Sequence, residues 1–382
     1  MKAVRLVPQP FTRQDIHEDG NIQGTTLTAR LPIERSLPMR FMVVNTIHLP
    51  DVDFGDHLLR PLGAEVISAR GRTEKELIDC TARADGVVCS GPVQPWTGRV
   101  IRSLGNCRII ASLGIGYDRI DLEAATEKCI VVTNVPDYCI DEVSTHAISL
   151  MLALNRRLFV MDHAVRQAVI NFVPPNRSSV DRVIRPIYRL QDQVLGIVGM
   201  GRIGTATALK ARGLGMKVIA CDPYVWDAVM RSHGVDPVDL DTLLGSADMI
   251  SIHCSLTEET RALFDDRVIS KMKPGACLIN TARGEVVEEA ALIRALNDQR
   301  ISGAGLDVTC KDPLPEDDPL REAPNTILTG HAAWYSTRAD SPDEFWQKAM
   351  AQVALALQGR WPSYPVNPQV KPQWLKAWGR RT

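Results

Sequence analysis

The chain contains no Cys-x-x-C pair, no cysteine and histidine spacing of the zinc type, and no excess of either charge. Its 9 cysteines stand singly, which argues against a zinc ribbon or a disulfide scaffold. Free thiols in a reducing cytoplasm are expected, and no metal centre. With 44 basic and 45 acidic side chains intermixed the net charge is −1, so no long-range field draws in nucleic acid or anionic lipid. Neither is expected as a direct partner. Long apolar runs are also missing: the longest in a helical stretch, AISLMLAL, falls far short of the roughly 20 residues that span a bilayer. The opening segment MKAVRLVPQPFTRQDIHEDG lacks the apolar core of a secretory signal and carries acids that transit peptides avoid.

What is present is a balance of 45% apolar and 23% charged residues over 382 positions, which predicts a globular chain of more than one domain. Residues 1–38 are polar and turn-rich and read as an appendage: a structural arm, or sequence upstream of a start at Met39. From Arg40 onward, RFMVVNT, AEVISAR, DGVVCS, CRIIAS and CIVVTNV read as buried parallel strands alternating with helices. Around NVPDYCIDEVSTHAISLMLALNRR the pattern becomes one long apolar helix, acidic in its first turn and ending at Arg156 and Arg157. It reads as a connector. A second alternating series follows, with VLGIV, MKVIACD, MISIHC, ACLIN, AGLDV and TILTGH as its strands.

The second series opens with VLGIVGMGRIGTATALKARGLGMKVIACD, in which Gly199, Gly201 and Gly204 follow a strand and begin a helix. Glycine-rich turns are common, but that context identifies a dinucleotide site. Gly199 permits the tight turn, Gly201 the approach of a pyrophosphate to the backbone, and Gly204 close helix-to-strand packing, so phosphate meets the amides of Arg202 and Ile203 at the helix N-terminus. Asp222 closes the next strand, placed to accept hydrogen bonds from the ribose hydroxyls. Its charge repels a 2′-phosphate, and no Arg or Lys follows before Arg231. NAD is therefore expected over NADP.

Beyond the fingerprint, LINTARGEVVEE, GAGLDVTCKDPLP and NTILTGHAAWYS each run from a strand end into a polar loop, where ligands of such sheets bind. An Arg, acids and a His converging there suit hydride transfer to or from a 2-hydroxy acid. Arg283 forks onto the carboxylate, and His331 moves the hydroxyl proton with a nearby carboxylate to orient it. Trp334 reads either as a platform for a bulky or apolar 2-oxo side chain or as a structural residue. Cys310 reads as packing.

In order and spacing, CRIIASLGIGYDRIDLEAATEKCIVVTNVPDY, LGIVGMGRIG, INTARGEVV, GLDV and GHAAW resemble the D-2-hydroxyacid dehydrogenase family over about residues 40–370. CDPYVWDAVMRSHGV, NTARG and HAAWYS are most similar to the branch that includes the C-terminal-binding protein corepressors. The resemblance implies two Rossmann-like or flavodoxin-like parallel-sheet domains with a cleft between them. The NAD domain (140–334) is inserted into a discontinuous substrate domain (39–139 and 335–382), with hinges near 139 and 334. It further implies that Arg283 and the amides of Ile115 and Gly116 hold the substrate carboxylate, that His331 is the acid–base group, and that Thr281 and Asp307 meet the cofactor, Asp307 at the nicotinamide carboxamide. Family members are usually dimers through the NAD domain. One position departs from the pattern: five residues beyond Asp307, where the family places a Glu as partner of the histidine, stands Asp312. The charge is kept and a methylene is lost. The expected activity is NAD-dependent interconversion of a D-2-hydroxy acid and its 2-oxo acid; the alternative is an NAD(H)-sensing, corepressor-like interaction protein on the same fold.

Overall fold

The computed structural model describes residues 41–47, 56–167, 181, 186–338 and 342–379. The 1–38 appendage and Met39 lie outside them. Five strands form the first sheet: β1 (Phe41–Asn45), β2 (Ala64–Ser68), β3 (Gly86–Cys89), β4 (Ile109–Ser112) and β5 (Val131–Thr133), all parallel in the order β2-β1-β3-β4-β5. That is the flavodoxin-like winding. Every residue of β3, β4 and β5 is buried, because helices cover both faces, and this is why their sequences are continuous β-branched runs rather than alternating ones.

The second sheet has seven strands: β6 (Val194–Val198), β7 (Lys217–Cys221), β8 (Asp236–Pro237), β9 (Met249–Ile252), β10 (Cys277–Asn280), β11 (Gly303–Leu306) and β12 (Thr326–Leu328). They are parallel in the order β12-β11-β10-β9-β6-β7-β8. The chain winds one way from β6 through β7 to β8, then restarts at β9 on the other side of β6. The crevice at the carboxyl ends of β6 and β9 is thus the topological switch point. β8, which the apolar runs do not announce, is a two-residue edge strand, a position that tolerates the missing N–H of Pro237.

The connector helix spans Ile140–Asn155, with Asp141 and Glu142 in its first turn. Its Ala147, Ile148, Leu150 and Met151 pack in one core with Ala208 and Ala211 of the helix Arg202–Gly213. Lys210 ties the two helices together, its Nζ donating to Asp141 O and Oδ1, Ser144 Oγ and Thr145 Oγ1 at 2.6–2.9 Å. After Trp346 the chain returns to the first sheet: Ala349, Met350, Val353 and Trp374 are buried against Phe41, Val43 and Val88. The tryptophan-rich tail therefore docks on its own chain, with Trp374 Nε1 donating to Arg108 O at 2.8 Å and Trp361 edge-on to Trp374. Among the described residues no helix is long and apolar enough to cross a membrane.

Candidate active site

Two of the three fingerprint glycines are set by sterics. Gly199 has φ 97°, and a Cβ there would lie 2.5 Å from the Cys254 amide nitrogen at the end of β9. A Cβ on Gly204 would come 2.0 Å from Gly199 O, so helix and strand close only around glycine. At Gly201 a Cβ would meet nothing within 4 Å: this is the open side of the turn, beside the first-turn amides of Arg202 and Ile203. Asp222 is held beside it, accepting from Met200 N–H at 2.8 Å and Tyr224 N–H at 2.9 Å. Those two bonds leave carboxylate lone pairs for further donors. Tyr224 in turn donates its hydroxyl to Glu259, spanning the loops that follow β7 and β9. The Thr281 Oγ1 is buried and has no partner among the described residues. A buried hydroxyl left so is costly unless a bound group meets it. Open space at Gly201, helix amides, Asp222 and the orphaned Thr281 hydroxyl together fit a dinucleotide.

His253, just beyond β9, is half-buried beside Ser251 Oγ, 2.9 Å from its Nε2. Burial pushes its imidazole down to about 4, so it is neutral near pH 7.

The loops after β10, β11 and β12 converge. Arg283, after β10, donates from Nε to Asp118 Oδ1 at 2.9 Å and from Nη1 to Ala282 O at 2.7 Å. Its Nη2 lies where a Cβ on Gly116 would sit, 1.7 Å from that position, so a side chain there would push the guanidinium out of this place. With Nε committed to Asp118, the Nη end of the fork is the part open to an anion. The loop carrying Gly116 is fixed through its carbonyls: Gly114 O accepts from Val135 N–H at 2.9 Å, Ile115 O from Asn134 Nδ2 at 2.8 Å, and Gly116 O from Ser112 Oγ at 2.9 Å. The N–H groups of Ile115 and Gly116 have no acceptor among the described residues. Free amides beside a guanidinium make an anion site.

His331, after β12, lies in the left-handed region at φ 61°, directly after Gly330 at φ 63°. Its Nδ1 is 2.6 Å from Asp312 Oδ2, which leaves Nε2 as the nitrogen available to a substrate. The shorter acid thus reaches the imidazole. Asp307, at the end of β11, is 2% exposed, and both its oxygens are taken up by the His331 turn: Oδ1 accepts from Thr329 Oγ1 at 2.6 Å and Ala332 N–H at 2.9 Å, Oδ2 from Ala333 N–H at 3.0 Å. Trp334 stacks on Phe345 at 5.8 Å and 18°, with the Tyr138 ring 6.3 Å away. Ile115 and Ile203 pack against the same small cluster. Cys310 is exposed, and partial desolvation with Glu289 and Glu285 nearby raises its thiol to about 11.

The structure therefore pairs His331 with Asp312 and brings Arg283 to Gly116. It turns Asp307 toward the histidine loop, and gathers Trp334 with rings from both sides. Sequence reasoning missed Asp118, although it stands two residues past Gly116, because its partner Arg283 is 165 positions away. Among the described residues no group of three or more His, Cys, Asp or Glu could hold a metal. A cavity of about 780 Å³ lies elsewhere, at the opposite end of the seven-stranded sheet, lined by Phe159, Val160, Ala164, Tyr188, Lys273 and Ile327 among others.

Residues 148–333 match the family model described as D-isomer specific 2-hydroxyacid dehydrogenase, NAD binding domain. The chain is 36% identical over 261 residues to a glyoxylate reductase of Korarchaeum cryptofilum, covering 68% of this chain and 76% of that protein. It is 34% identical over 295 residues to a D-3-phosphoglycerate dehydrogenase of Archaeoglobus fulgidus, covering 77% of this chain and 53% of that protein. The crystal structure of D-lactate dehydrogenase from Aquifex aeolicus complexed with NAD and lactic acid superposes with TM-score 0.73 at 26% identity, over 87% of this chain and 98% of that one.

Proposed function

Because the chain belongs to the D-isomer specific 2-hydroxyacid dehydrogenase family, we propose that it interconverts a D-2-hydroxy acid and its 2-oxo acid with NAD. The observation that carries this reading is the His331 and Asp312 pair, set on the loop after β12 with Nε2 left free. Bound NAD supplies the hydride acceptor at its nicotinamide ring, and NADH the donor. In reduction the substrate carboxylate rests on the Nη end of Arg283 and on the amides of Ile115 and Gly116. His331 gives the Nε2 proton to the carbonyl oxygen as C2 receives hydride; in oxidation it takes that proton back. Asp312 fixes the ring by accepting from Nδ1 and balances the imidazolium charge. Trp334, with Phe345 and Tyr138 beside it, faces the substrate's side chain.

We place the substrate-domain boundaries near residues 139 and 334, where closure would exclude water from the transfer. Asp222 favours NAD over NADP, since a 2′-phosphate would meet its carboxylate. Exposed Phe159, Val165 and Tyr188 on and beside the distal cavity support a homodimer through the NAD domain. All nine cysteines are free thiols, in keeping with a cytoplasmic setting.

A screen of 2-oxo acids differing in side chain, followed by NADH absorbance and repeated with NADPH, tests the reading. Turnover of at least one acid, with NADH favoured, is expected. Binding of NADH without turnover of any acid would leave the corepressor-like alternative standing.

A further inference from the structure

We propose that His146, on the connector helix, is a positioning residue for the His331 and Asp312 pair, acting through Thr329 and Asp307; this rests on the reading of His331 as the acid–base group. His146 Nε2 lies 2.9 Å from Thr329 Oγ1 and 3.7 Å from Asp307 Oδ1. Thr329 has already given its hydroxyl proton to Asp307 Oδ1, 2.6 Å away. An oxygen that has donated its only proton must accept, so His146 holds its proton on Nε2 and points it at Thr329. This fixes the rotor of the hydroxyl, and the hydroxyl fixes the carboxylate.

Asp307 then sets the turn. Its side chain takes the N–H groups of Ala332 and Ala333, and its carbonyl takes that of His331 at 2.5 Å. A histidine at φ 61° does not rest there by preference. Such a conformation persists where its surroundings over-determine it. Four bonds into one aspartate, from Thr329, His331, Ala332 and Ala333, supply that determination, and they aim Nδ1 at Asp312. Glu142, one turn before His146 on the same helix, accepts from Ser336 Oγ at 2.8 Å, so a single helix fastens the histidine loop on both sides. The bonds of Asp307 and His146 go to Thr329 and to the turn itself, and neither side chain bonds the His331 ring, which makes their contribution one of geometry. The arrangement also accounts for the buried charge of Asp307, which has Thr329, two amides and the nearby imidazole rather than solvent around it.

The test compares wild type with His146→Ala, His146→Gln and Thr329→Val in the full-length protein. Glutamine is the informative variant, because its Nε2 presents a donor close to where the imidazole Nε2 stood. Two readouts are taken: kcat and KM for 2-oxo acid reduction, with the NADH Kd from fluorescence, and the downfield proton resonance of the His331 Nδ1–H···Asp312 bond, assigned by its loss in Asp312→Asn. Positioning predicts that His146→Ala and Thr329→Val lower kcat about tenfold or more, with NADH Kd within about threefold of wild type. The downfield resonance is lost to exchange in both, and His146→Gln restores kcat and resonance together. A resonance that persists in His146→Ala with unchanged kcat overturns the proposal. If alanine and glutamine are equally impaired, His146 serves packing and the proposal also fails. Should wild type reduce no 2-oxo acid, the functional reading falls, while the resonance still decides whether His146 holds the pair.

Discussion

At the carboxyl ends of β10, β11 and β12 the backbone carries left-handed His331, the hydroxyl of Thr281 has no partner among the described residues, and Arg283 occupies space that a side chain on Gly116 would take. The opposite end of the same sheet holds a cavity of about 780 Å³, flanked by exposed Phe159 and Tyr188, and none of the residues proposed for chemistry. Volume and apolar lining point to the distal end. Backbone strain does not separate the two ends, since Arg157 at φ 49° and Asn325 at φ 52° line the distal cavity; what distinguishes the carboxyl ends is the pairing of polar groups there, Arg283 with Asp118 and His331 with Asp312.

Four measurements break or sharpen that contrast. The largest effect belongs to His331→Ala, which removes the proton donor: kcat/KM should fall by about a thousandfold in both directions, near 4 kcal/mol. Steady-state kinetics in reduction and oxidation check it, and loss in one direction alone would mean that another group handles the proton. Next, Arg283→Lys replaces the Nη end of the fork with a point charge that cannot make the paired bonds. A loss of about 3 kcal/mol in kcat/KM is expected while NADH affinity holds. Wild-type turnover would place the carboxylate elsewhere.

The third concerns His253. Its folded value, about 4, lies below that of free imidazole, so the unfolded chain binds the extra proton first as pH falls. Its contribution is present above about pH 6.5 and is lost on descending toward 4, about 3 kcal/mol at most. Urea unfolding of wild type and His253→Gln across that window should show a shallower decline in the variant. Parallel curves would refute the burial account. Smallest, for the chemistry, is Phe159→Asp: kcat/KM per chain should stay within about threefold, roughly 0.6 kcal/mol, while light scattering reports dissociation of the proposed dimer. A crippled kcat would show that the distal end is not separate from the site.

The parts of this molecule that were legible in the sequence are those in which a residue's role is settled by its own backbone or its near neighbours. The buried strands announced themselves as β-branched runs, and Gly199, Gly201 and Gly204 by their spacing, since a tight turn admits few alternatives. Asp312 could be proposed as the partner of His331 only because a family pattern lent it a place. What could not be read is what the tertiary fold pairs across long gaps: Asp118 with Arg283, His146 with Thr329 at 183 positions, and Tyr138 with Phe345 at a ring distance of 4.7 Å. Asp307 shows a different limit. Its position at a strand end was evident, but that both of its oxygens would be taken up by the neighbouring turn depends on a loop conformation that no local propensity favours. β8 escaped notice because two residues carry no periodicity.

The four bonds from Lys210 into the start of the connector helix have a mechanical corollary. A beam bolted at its first turn cannot flex there, so the helix Ile140–Asn155 and the glycine-turn helix Arg202–Gly213 form one stiff bracket. Any rotation of the five-stranded sheet against that bracket would fall on the short span from Asn134 to Cys139. That span carries the amide side chain gripping Ile115 O and the half-buried Tyr138 ring against Phe345, so twisting it would shift the Ile115 loop and the aromatic cluster in the same stroke.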